Sequence, residues 1–268
     1  MARRNRQNTL AGKTALVTGS NDGLGFTLAE NLAAAGANIV LNGIAPEKDI
    51  QPRAQHLADS YGVDAIYVAA DVGIRSDIEH MIATVSDRFG GVDILVNNAV
   101  VRHFSPLEDF NPDDWERSIN VNLTAAFNTA RLTLSHMKRK GWGRMVNISS
   151  YYGWRGAENR IDYVTTKTAL IGMARAIAIE TAGTGVTCNV ICPGSVGTRA
   201  ILDRIKGMAD ESGENFDDLA QRYASKRSPI GRFISEDSIG EMLVFLCGNA
   251  GADITGTVFP VDGGWLAA

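Results

Sequence analysis

The chain has 268 residues, of which 45% are hydrophobic and 21% are charged, and its formal net charge at pH 7 is −4. This is the balance of an ordinary globular protein, and it excludes a disordered chain, a coiled coil and a collagen-like repeat. Acidic residues slightly outnumber basic ones, so we expect no nucleic-acid partner. Since no apolar run approaches the ~18 residues that a membrane span needs, we also expect no membrane partner.

Short apolar runs alternate with longer amphipathic stretches along the chain. The apolar runs predict strands buried on both faces, at residues 14–18, 38–42, 64–70, 94–97, 144–148, 186–192 and 257–261. The stretches between them predict helices at residues 24–35, 49–60, 76–89, 113–140, 162–181 and 236–247. This alternation predicts an α/β fold, a single-domain Rossmann-like doubly wound parallel sheet of about seven strands with helices on both faces. The domain spans residues 11–268, after a basic tail at residues 1–10.

The alternation is interrupted once, at residues 197–233. This segment is long and charged and contains no predicted strand. Helical patches at residues 200–208 and 217–225 flank a charged, glycine-containing middle at residues 210–214. Such an insertion in a compact domain is typical of a functional lid, which we expect to be mobile and to close over a substrate.

The cysteines and histidines indicate neither disulfides nor a metal site. Cys188 and Cys192 share one predicted strand and would lie about 13 Å apart, too far for a disulfide. Cys247 makes the count odd, and the four histidines are scattered. We therefore expect reduced thiols, a cytoplasmic location and no bound metal.

A glycine-rich turn, Thr18-Gly19-Ser20-Asn21-Asp22-Gly23-Leu24-Gly25, joins the first strand to the first helix. Glycines let the backbone turn tightly and let a pyrophosphate approach, and the helix N-terminus offers free N–H groups. The turn therefore predicts a dinucleotide site, although an ordinary tight turn would have the same composition.

The end of the second strand bears on which dinucleotide is bound. The segment Leu41-Asn42-Gly43-Ile44 offers no arginine for a 2′-phosphate and no acid for a free 2′-hydroxyl. Asp22, inside the glycine-rich turn, would repel a 2′-phosphate. We therefore predict NAD rather than NADP; the alternative is that Asn42-Gly43 is only a turn.

Tyr163 and Lys167 open a predicted helix at spacing i and i+4, so they share one face. The lysine charge favours the phenolate of a tyrosine, whose ordinary pKa near ~10 makes it a poor base at neutral pH. Ser150 ends the preceding strand and reaches the same edge of the sheet. The alternative is a pair of residues on an exposed helix surface.

Together these features resemble the short-chain dehydrogenase/reductase family, from about residue 10 to residue 265. The motifs that carry the resemblance are the glycine-rich turn, Asp71-Val72, Asn97-Asn98-Ala99, Asn122, Ser150, Tyr163 with Lys167, and Pro193-Gly194-Ser195-Val196-Gly197-Thr198. The resemblance implies that Tyr163 is the general acid/base, and that Ser150 orients the substrate oxygen. It also implies that Lys167 binds the nicotinamide ribose, and that Asn122 holds a water in the proton path.

The same resemblance implies a set of cofactor-binding residues, with Asp71 at the adenine and with Val196 and Thr198 at the carboxamide. The full set is Gly19, Asn21, Asp22, Gly23, Leu24, Gly25, Asn42, Asp71, Val72, Asn98, Ala99, Tyr163, Lys167, Pro193, Gly194, Val196 and Thr198. Val100 departs from the pattern, because the family usually has glycine there, and it could narrow the site near the nicotinamide ribose.

Several stretches are similar to the bacterial 3-hydroxybutyrate dehydrogenases of this family, among them residues 37–43, 134–138, 180–183, 261–265 and the lid. The substrate pocket of those enzymes is not reproduced, because this chain has Arg102, Tyr152, Arg160 and Ser195 at the equivalent positions. Arg102 and Arg160 could form a carboxylate clamp, since arginine binds planar anions in a bidentate manner. Ser150 and Tyr152 complete the predicted substrate residues. Further candidates are His103, Trp154 and Arg155.

These observations predict an NAD-dependent alcohol dehydrogenase that acts on a hydroxy acid or another anionic alcohol. The alternatives within the family are a sugar or polyol dehydrogenase and a 3-oxoacyl reductase. A non-catalytic NAD-binding sensor is the alternative from another class, although a sensor needs no proton relay. The family resemblance also implies a homotetramer.

Overall fold

A seven-stranded parallel sheet forms the centre of the molecule. The computed structural model describes residues 9–268, except for the side chain of Ala200, so residues 1–8 of the predicted tail lie outside the described residues. The strands run in the order β3-β2-β1-β4-β5-β6-β7 and pair in parallel throughout. They are β1 (Thr14–Val17), β2 (Asn38–Gly43), β3 (Ala65–Ala69), β4 (Ile94–Asn97), β5 (Gly143–Ile148), β6 (Val186–Pro193) and β7 (Val258–Val261). The predicted fold class is confirmed.

Helices cover both faces of the sheet. They are α1 (Gly23–Ala34), α2 (Glu47–Tyr61), α3 (Arg75–Phe89), α4 (Pro112–Ile119), α5 (Ala125–Lys140), α6 (Ile161–Glu180), α7 (Arg199–Ser212), α8 (Phe216–Ser225) and α9 (Glu236–Cys247). One buried apolar layer joins the sheet to α1, α2 and α9, and the other joins it to α3, α5 and α6. Strands β1, β4, β5 and β6 are buried throughout, as the continuous apolar runs predicted, whereas the edge strands β3 and β7 are partly exposed.

The helix predicted at residues 113–140 is wrong in one respect. It is divided into α4 and α5 by a π turn at Asn120–Thr124. Inside this turn the Asn122 side chain turns to the neighbouring loop and bonds the backbone of Val101 through both its oxygen (2.8 Å) and its nitrogen (3.0 Å). A π turn is rare and is found mostly at functional sites. Periodicity alone could not show it, because the apolar pattern continues through the turn.

The charged middle of the lid is also more helical than predicted. Helix α7 continues to Ser212 and ends at Gly213, whose φ of +70° suits a left-handed helix cap. Helices α7 and α8 bury a small apolar cluster of their own around Ile205, Ala209 and Leu219. The predicted lid therefore contains two helices that share a small apolar core of their own.

The strand order changes direction between β1 and β4, which places the crevice of the sheet at their carboxyl ends. The loops that carry the predicted site residues follow β1, β3, β4, β5 and β6, and all of them emerge at this edge. No helix in the described part of the chain is long and apolar enough to span a membrane. Among residues 9–268 there is likewise no cluster of three metal-ligating side chains, and Cys188, Cys192 and Cys247 are buried and unpaired.

Candidate active site

A cleft of about 520 Å³ opens at the carboxyl edge of the sheet. This volume lies within the range of cofactor and substrate sites. Most of the predicted cofactor residues line it together: Gly19, Asn21, Asp22, Leu24, Gly25, Asn42, Asp71, Val72, Asn98, Ala99, Tyr163, Lys167, Pro193, Gly194, Val196 and Thr198. Gly23 is the one member of that predicted set outside the lining; it begins α1 and receives the side-chain cap of Asp22.

The glycine-rich turn is held in shape by Asn98. The Asn98 amide donates to the carbonyl oxygens of Thr18 and Gly19, both at 3.0 Å. Gly19 has a φ of +60°, and a Cβ atom on Gly25 would overlap the Gly19 carbonyl oxygen. Both glycines are therefore required by the backbone geometry itself. The turn brings the N-terminus of α1 to the cleft, where the first N–H groups of a helix lack intrahelical acceptors.

Asn42 braces the sheet edge. It is almost fully buried, its amide nitrogen donates to the carbonyls of Val68 and Ala70, and its amide oxygen accepts from the Gly19 N–H at 3.3 Å. Its side chain thus joins β2, β3 and the glycine-rich turn. Asn42 therefore supports the wall of the cleft, and the three hydrogen bonds of its amide explain an asparagine at this position.

The adenosine end of the predicted site contains an arginine that sequence analysis missed. Arg53, on α2, donates to the Asn21 carbonyl oxygen at 2.8 Å and to the Asp22 carboxylate at 3.2 Å. A hydrogen bond from the Gly23 N–H is the main cause that lowers the pKa of Asp22, and Arg53 adds to it. Asp22 is therefore charged at neutral pH and engages Arg53.

Tyr163 lies at the other end of the cleft, among hydrogen-bonding and cationic groups. Ser150 hydrogen-bonds its phenol, and Nζ of Lys167 is 5.6 Å from the centre of its ring. Lys167 is buried and donates to the Ile148 carbonyl oxygen at 2.7 Å. Two guanidinium groups lie near the same ring, with Cζ of Arg160 at 4.5 Å and Cζ of Arg102 at 5.4 Å from its centre.

The surroundings favour ionisation of Tyr163. Burial opposes the charged phenolate, but the charges of Lys167, Arg102 and Arg160 and the hydrogen bond from Ser150 outweigh it, so the pKa of Tyr163 lies below its ordinary value. Burial likewise lowers the pKa of the Lys167 ammonium, a shift that the nearby phenol opposes. The arrangement therefore favours the ionised form of the phenol more than water would.

The buried carboxylate of Asp162 supports this end of the cleft, and sequence analysis did not single it out. It is fully buried and accepts hydrogen bonds from the Ser118 hydroxyl at 2.7 Å, the Tyr163 N–H at 2.6 Å and the His103 N–H at 3.3 Å. The His103 ring lies between this carboxylate and that of Asp114. His103, a candidate pocket residue, therefore links the loop after β4 to α4 and α6.

Asn122 does not line the cleft, and its side chain is occupied. Besides its two bonds to Val101, its nitrogen lies 3.4 Å from the Thr166 hydroxyl. Both polar groups of the Asn122 side chain thus have partners within the protein, and its role in holding a water stays a prediction. A backbone group of the π turn is the alternative, because a π turn disturbs the regular carbonyl pairing of the helix.

The predicted substrate residues gather around Tyr163 to different degrees. Ser150 and Arg102 line the cleft, and the Tyr152 ring meets that of Tyr163 edge-on at 6.3 Å. The guanidinium of Arg160 lies beside the rings of Tyr163 and Phe104, 4.1 Å from the centre of the latter. The further candidates Trp154 and Arg155 are largely exposed, and Arg155 contacts Trp265 and the carbonyl oxygen of Ala268.

These features define a class of proteins: oxidoreductases with a doubly wound sheet whose serine, tyrosine and lysine meet at its carboxyl edge. A family model described as Enoyl-(Acyl carrier protein) reductase matches residues 19–266. D-beta-hydroxybutyrate dehydrogenase of Cupriavidus necator is 39% identical over 258 residues, which cover 96% of this chain and 99% of that protein. The enzyme of the same name from Rhizobium meliloti is 40% identical over 255 residues, or 95% of this chain and 99% of that protein.

The crystal structure of L-sorbose reductase from Gluconobacter frateurii, complexed with NADPH and L-sorbose, has a TM-score of 0.94 to this structure. It is 29% identical in sequence, and the match covers 98% of this chain and 99% of that chain. The chain belongs to the short-chain dehydrogenase/reductase family and is an oxidoreductase of the alcohol dehydrogenase type. The predicted resemblance, including that to hydroxybutyrate dehydrogenases, is confirmed.

Proposed function

We propose that the chain catalyses NAD-dependent hydride transfer between nicotinamide and a secondary alcohol or ketone that carries an anionic group, with a 3-hydroxy acid as the first candidate. The relatives named D-beta-hydroxybutyrate dehydrogenase support this substrate class. The observation that carries the proposal is the Arg160 guanidinium beside Tyr163, whose buried Nε atom has no hydrogen-bond partner among the described residues.

The chemistry of the proposed site follows from its own side chains. When bound, a nicotinamide cofactor supplies the acceptor for the hydride that leaves the carbinol carbon. Ser150 orients the substrate oxygen, and the Tyr163 phenolate takes the hydroxyl proton as the C–O single bond becomes a carbonyl. In the reverse direction Tyr163 returns that proton. Lys167 keeps the phenol ionisable and lies where a nicotinamide ribose would bind.

The proposed anion site rests on Arg160. Its Nε atom is buried and has no hydrogen-bond partner in the part of the chain that the structure describes. A buried donor without an acceptor costs about 1–3 kcal/mol, so a ligand that supplies an acceptor is favoured. No described carboxylate lies within ion-pair distance of Arg160 or Arg102. A substrate carboxylate would meet both requirements at once.

We propose that residues 197–233 form the substrate lid of the single catalytic domain, residues 11–268. The lid contributes Thr198 and Ile201 to the lining of the cleft. Arg204, on α7, lies with its Cζ atom 5.3 Å from the centre of the Phe104 ring, which Arg160 also contacts. A lid that reaches Phe104 covers the reacting end and limits water there.

The preference for NAD is proposed from the charges at the end of β2. Ile44 is exposed and Gly43 has no side chain, so neither offers a phosphate partner. The arginine nearest the glycine-rich turn, Arg53, engages Asp22 and the backbone of Asn21. A 2′-phosphate placed there would meet the Asp22 carboxylate. The crystal structure of the L-sorbose reductase, by contrast, holds NADPH.

A sugar or polyol is the second candidate substrate, supported by the L-sorbose reductase structure. It would leave the cationic pair without an anion, which is why the acidic substrate comes first. A 3-oxoacyl reductase remains the third possibility within the family. A non-catalytic sensor is disfavoured because Ser150, Tyr163 and Lys167 form a complete proton-transfer group.

The first test concerns the phenol. We predict that Tyr163→Phe leaves the NADH dissociation constant within about twofold and lowers turnover of the best substrate by roughly 100-fold or more. Lys167→Met should weaken NADH binding and also lower turnover, because the ammonium is proposed both to bind the nicotinamide ribose and to favour ionisation of the phenol. Turnover is measured by absorbance of the reduced nicotinamide with 3-hydroxybutyrate, D-gluconate and L-sorbose, and binding by fluorescence. Tyr61→Phe, on the far end of α2, is the control, and near-normal turnover of Tyr163→Phe would contradict the mechanism.

The second test compares 3-hydroxybutyrate with its methyl ester, which keeps the alcohol and removes the charge. Wild-type kcat/KM should be far higher for the acid. Arg160→Met should raise KM for the acid by roughly tenfold to more than a hundredfold, because a charge-assisted contact is lost. KM for the ester should change much less in Arg160→Met. Arg102→Met should also raise KM for the acid, as a separate effect.

The same variant tests the electrostatics of Tyr163. Removing a neighbouring cation raises the phenol pKa, so the rise of kcat/KM with pH should have a higher midpoint in Arg160→Met than in the wild type. Arg131→Met, on the outer side of α5, is the matched control. An uncharged best substrate, or an unchanged KM for the acid in Arg160→Met, would refute the anion site and leave the Tyr163 mechanism intact.

The third test concerns cofactor choice. NADH should bind more tightly than NADPH, and Asp22→Asn should improve NADPH binding roughly tenfold, because it removes a repulsive charge and releases Arg53 for the 2′-phosphate. The double variant Asp22→Asn with Arg53→Met should lose that gain. Dissociation constants from fluorescence titration measure both, with Asp59→Asn as the control. A wild-type preference for NADPH would overturn the assignment.

We also propose a homotetramer and a cytoplasmic location. Phe127 on α5 and Ile179 on α6 are 55% and 80% exposed, which is unusual for large apolar side chains on neighbouring long helices. Pairing of these helices with their copies would cover both. Three buried unpaired thiols suit a reducing compartment. A monomer by light scattering at micromolar concentration would contradict the assembly.

A further inference from the structure

Asp71, which follows β3, is bound by an arginine from a distant part of the chain. Nη2 of Arg117, on α4, lies 3.0 Å from one carboxylate oxygen of Asp71 and 2.9 Å from the other. The Gly73 N–H donates to the first of these oxygens at 2.8 Å. The carboxylate is therefore fixed from two directions, and both Asp71 and Arg117 line the cleft.

Gly73 makes room for this contact. A Cβ atom on Gly73 would overlap the guanidinium of Arg117 and lie 3.0 Å from the Val121 methyl group. The φ of Gly73 is outside the left-handed range, so the backbone there does not itself require glycine. The absence of a side chain at this position thus serves the approach of Arg117 to Asp71.

The pair lies far from the reacting end of the cleft. Four strand steps separate β3 from β5 in the sheet order. Since neighbouring strands lie about 4.8 Å apart, the ends of these two strands are about 19 Å apart. Asp71 thus stands at the adenosine end of a site whose other end is Tyr163, and the inference rests on the proposed function because it concerns the dinucleotide of that site.

We propose that Arg117 is a positioning residue for adenine recognition, because it fixes Asp71 to accept a hydrogen bond from the 6-amino group. A carboxylate has about four acceptor positions, so the bonds from Arg117 and Gly73 leave others free. A carboxylate held in one orientation favours a donor at that place and repels an acceptor. Without Arg117 the Asp71 carboxylate would rotate and bind water, and its discrimination between purines would weaken.

Two dinucleotides that differ at one purine substituent provide the test. NADH carries the 6-amino group, whereas reduced nicotinamide hypoxanthine dinucleotide carries an oxygen there. The wild type should bind NADH roughly tenfold more tightly, the effect of one hydrogen bond to a charged group. In Arg117→Met the ratio of the two dissociation constants should fall to about twofold or less. Arg117→Lys, which keeps the charge, should restore part of this ratio.

A second variant disturbs the same contact without changing the side chain of either partner. Gly73→Ala should push the guanidinium away from Asp71 and reduce the ratio in the same way. Reduced nicotinamide mononucleotide lacks the adenosine, so its affinity should be unchanged in all of these variants. Arg131→Met, which removes an arginine paired with Glu79 outside the cleft, should keep the wild-type ratio.

Dissociation constants and melting temperatures of the variants together distinguish a positioning role of Arg117 from a structural one. The inference is overturned if Arg117→Met and Gly73→Ala keep the ratio of dissociation constants that the wild type shows for the two dinucleotides. It is also overturned if the wild type itself binds both dinucleotides equally. Equal weakening of both dinucleotides with a lower melting temperature shows a structural role and also overturns it. A wild type that binds neither dinucleotide contradicts the proposed function itself.

Discussion

The proposed chemistry depends on one constraint: the Lys167 ammonium and the Tyr163 phenol are buried side by side. Lys167 is almost fully removed from water, which lowers the pKa of its ammonium, and the adjacent phenol opposes this shift only in part. The ammonium also donates a hydrogen bond to the Ile148 carbonyl oxygen. Ser149 fixes the start of α6 against the end of β5 by donating to the Lys167 carbonyl at 2.7 Å. The carboxyl edge of the sheet therefore holds both groups at a fixed separation, and no lid movement is needed to bring them together.

Helix α4 connects the two ends of the cleft. Arg117 holds Asp71 at one end, and the next residue, Ser118, donates to the buried carboxylate of Asp162 at the other. Asp162 also accepts from the backbone of Tyr163 and of His103, and the loop of His103 carries Arg102 and Phe104. A shift of α4 would therefore disturb Asp71, Tyr163 and the loop of Arg102 at the same time, and with them both ends of the proposed site. The π turn that follows fixes this helix to Val101 through Asn122.

Local patterns predicted the parts of this site that depend on neighbours in sequence. The strands follow from continuous apolar runs, the glycine-rich turn from Gly19 and Gly25, and the proximity of Tyr163 and Lys167 from their spacing. The contacts that sequence analysis missed join residues far apart in the chain, such as Arg117 with Asp71 across 46 positions and His103 with Asp162 across 59. No local period reports such pairs. The one available signal was Gly73, because a glycine just after Asp71 indicates a close approach.

On the proposed function, the position of Arg160 would make substrate binding and catalysis interdependent. Its guanidinium contributes to the low pKa of Tyr163 and is also the proposed partner of the substrate anion. An anion bound there neutralises part of the positive field, so the phenol pKa in the substrate complex lies above that in the free protein. Before binding, the same cations favour the phenolate that accepts a proton from an alcohol. Once an anionic ketone is bound, the raised pKa favours the neutral phenol that donates a proton to it. An uncharged substrate would leave the cations uncompensated and the pKa of the phenol lower, so on the proposed function the charge of the substrate would favour it during the proton transfer as well as during binding.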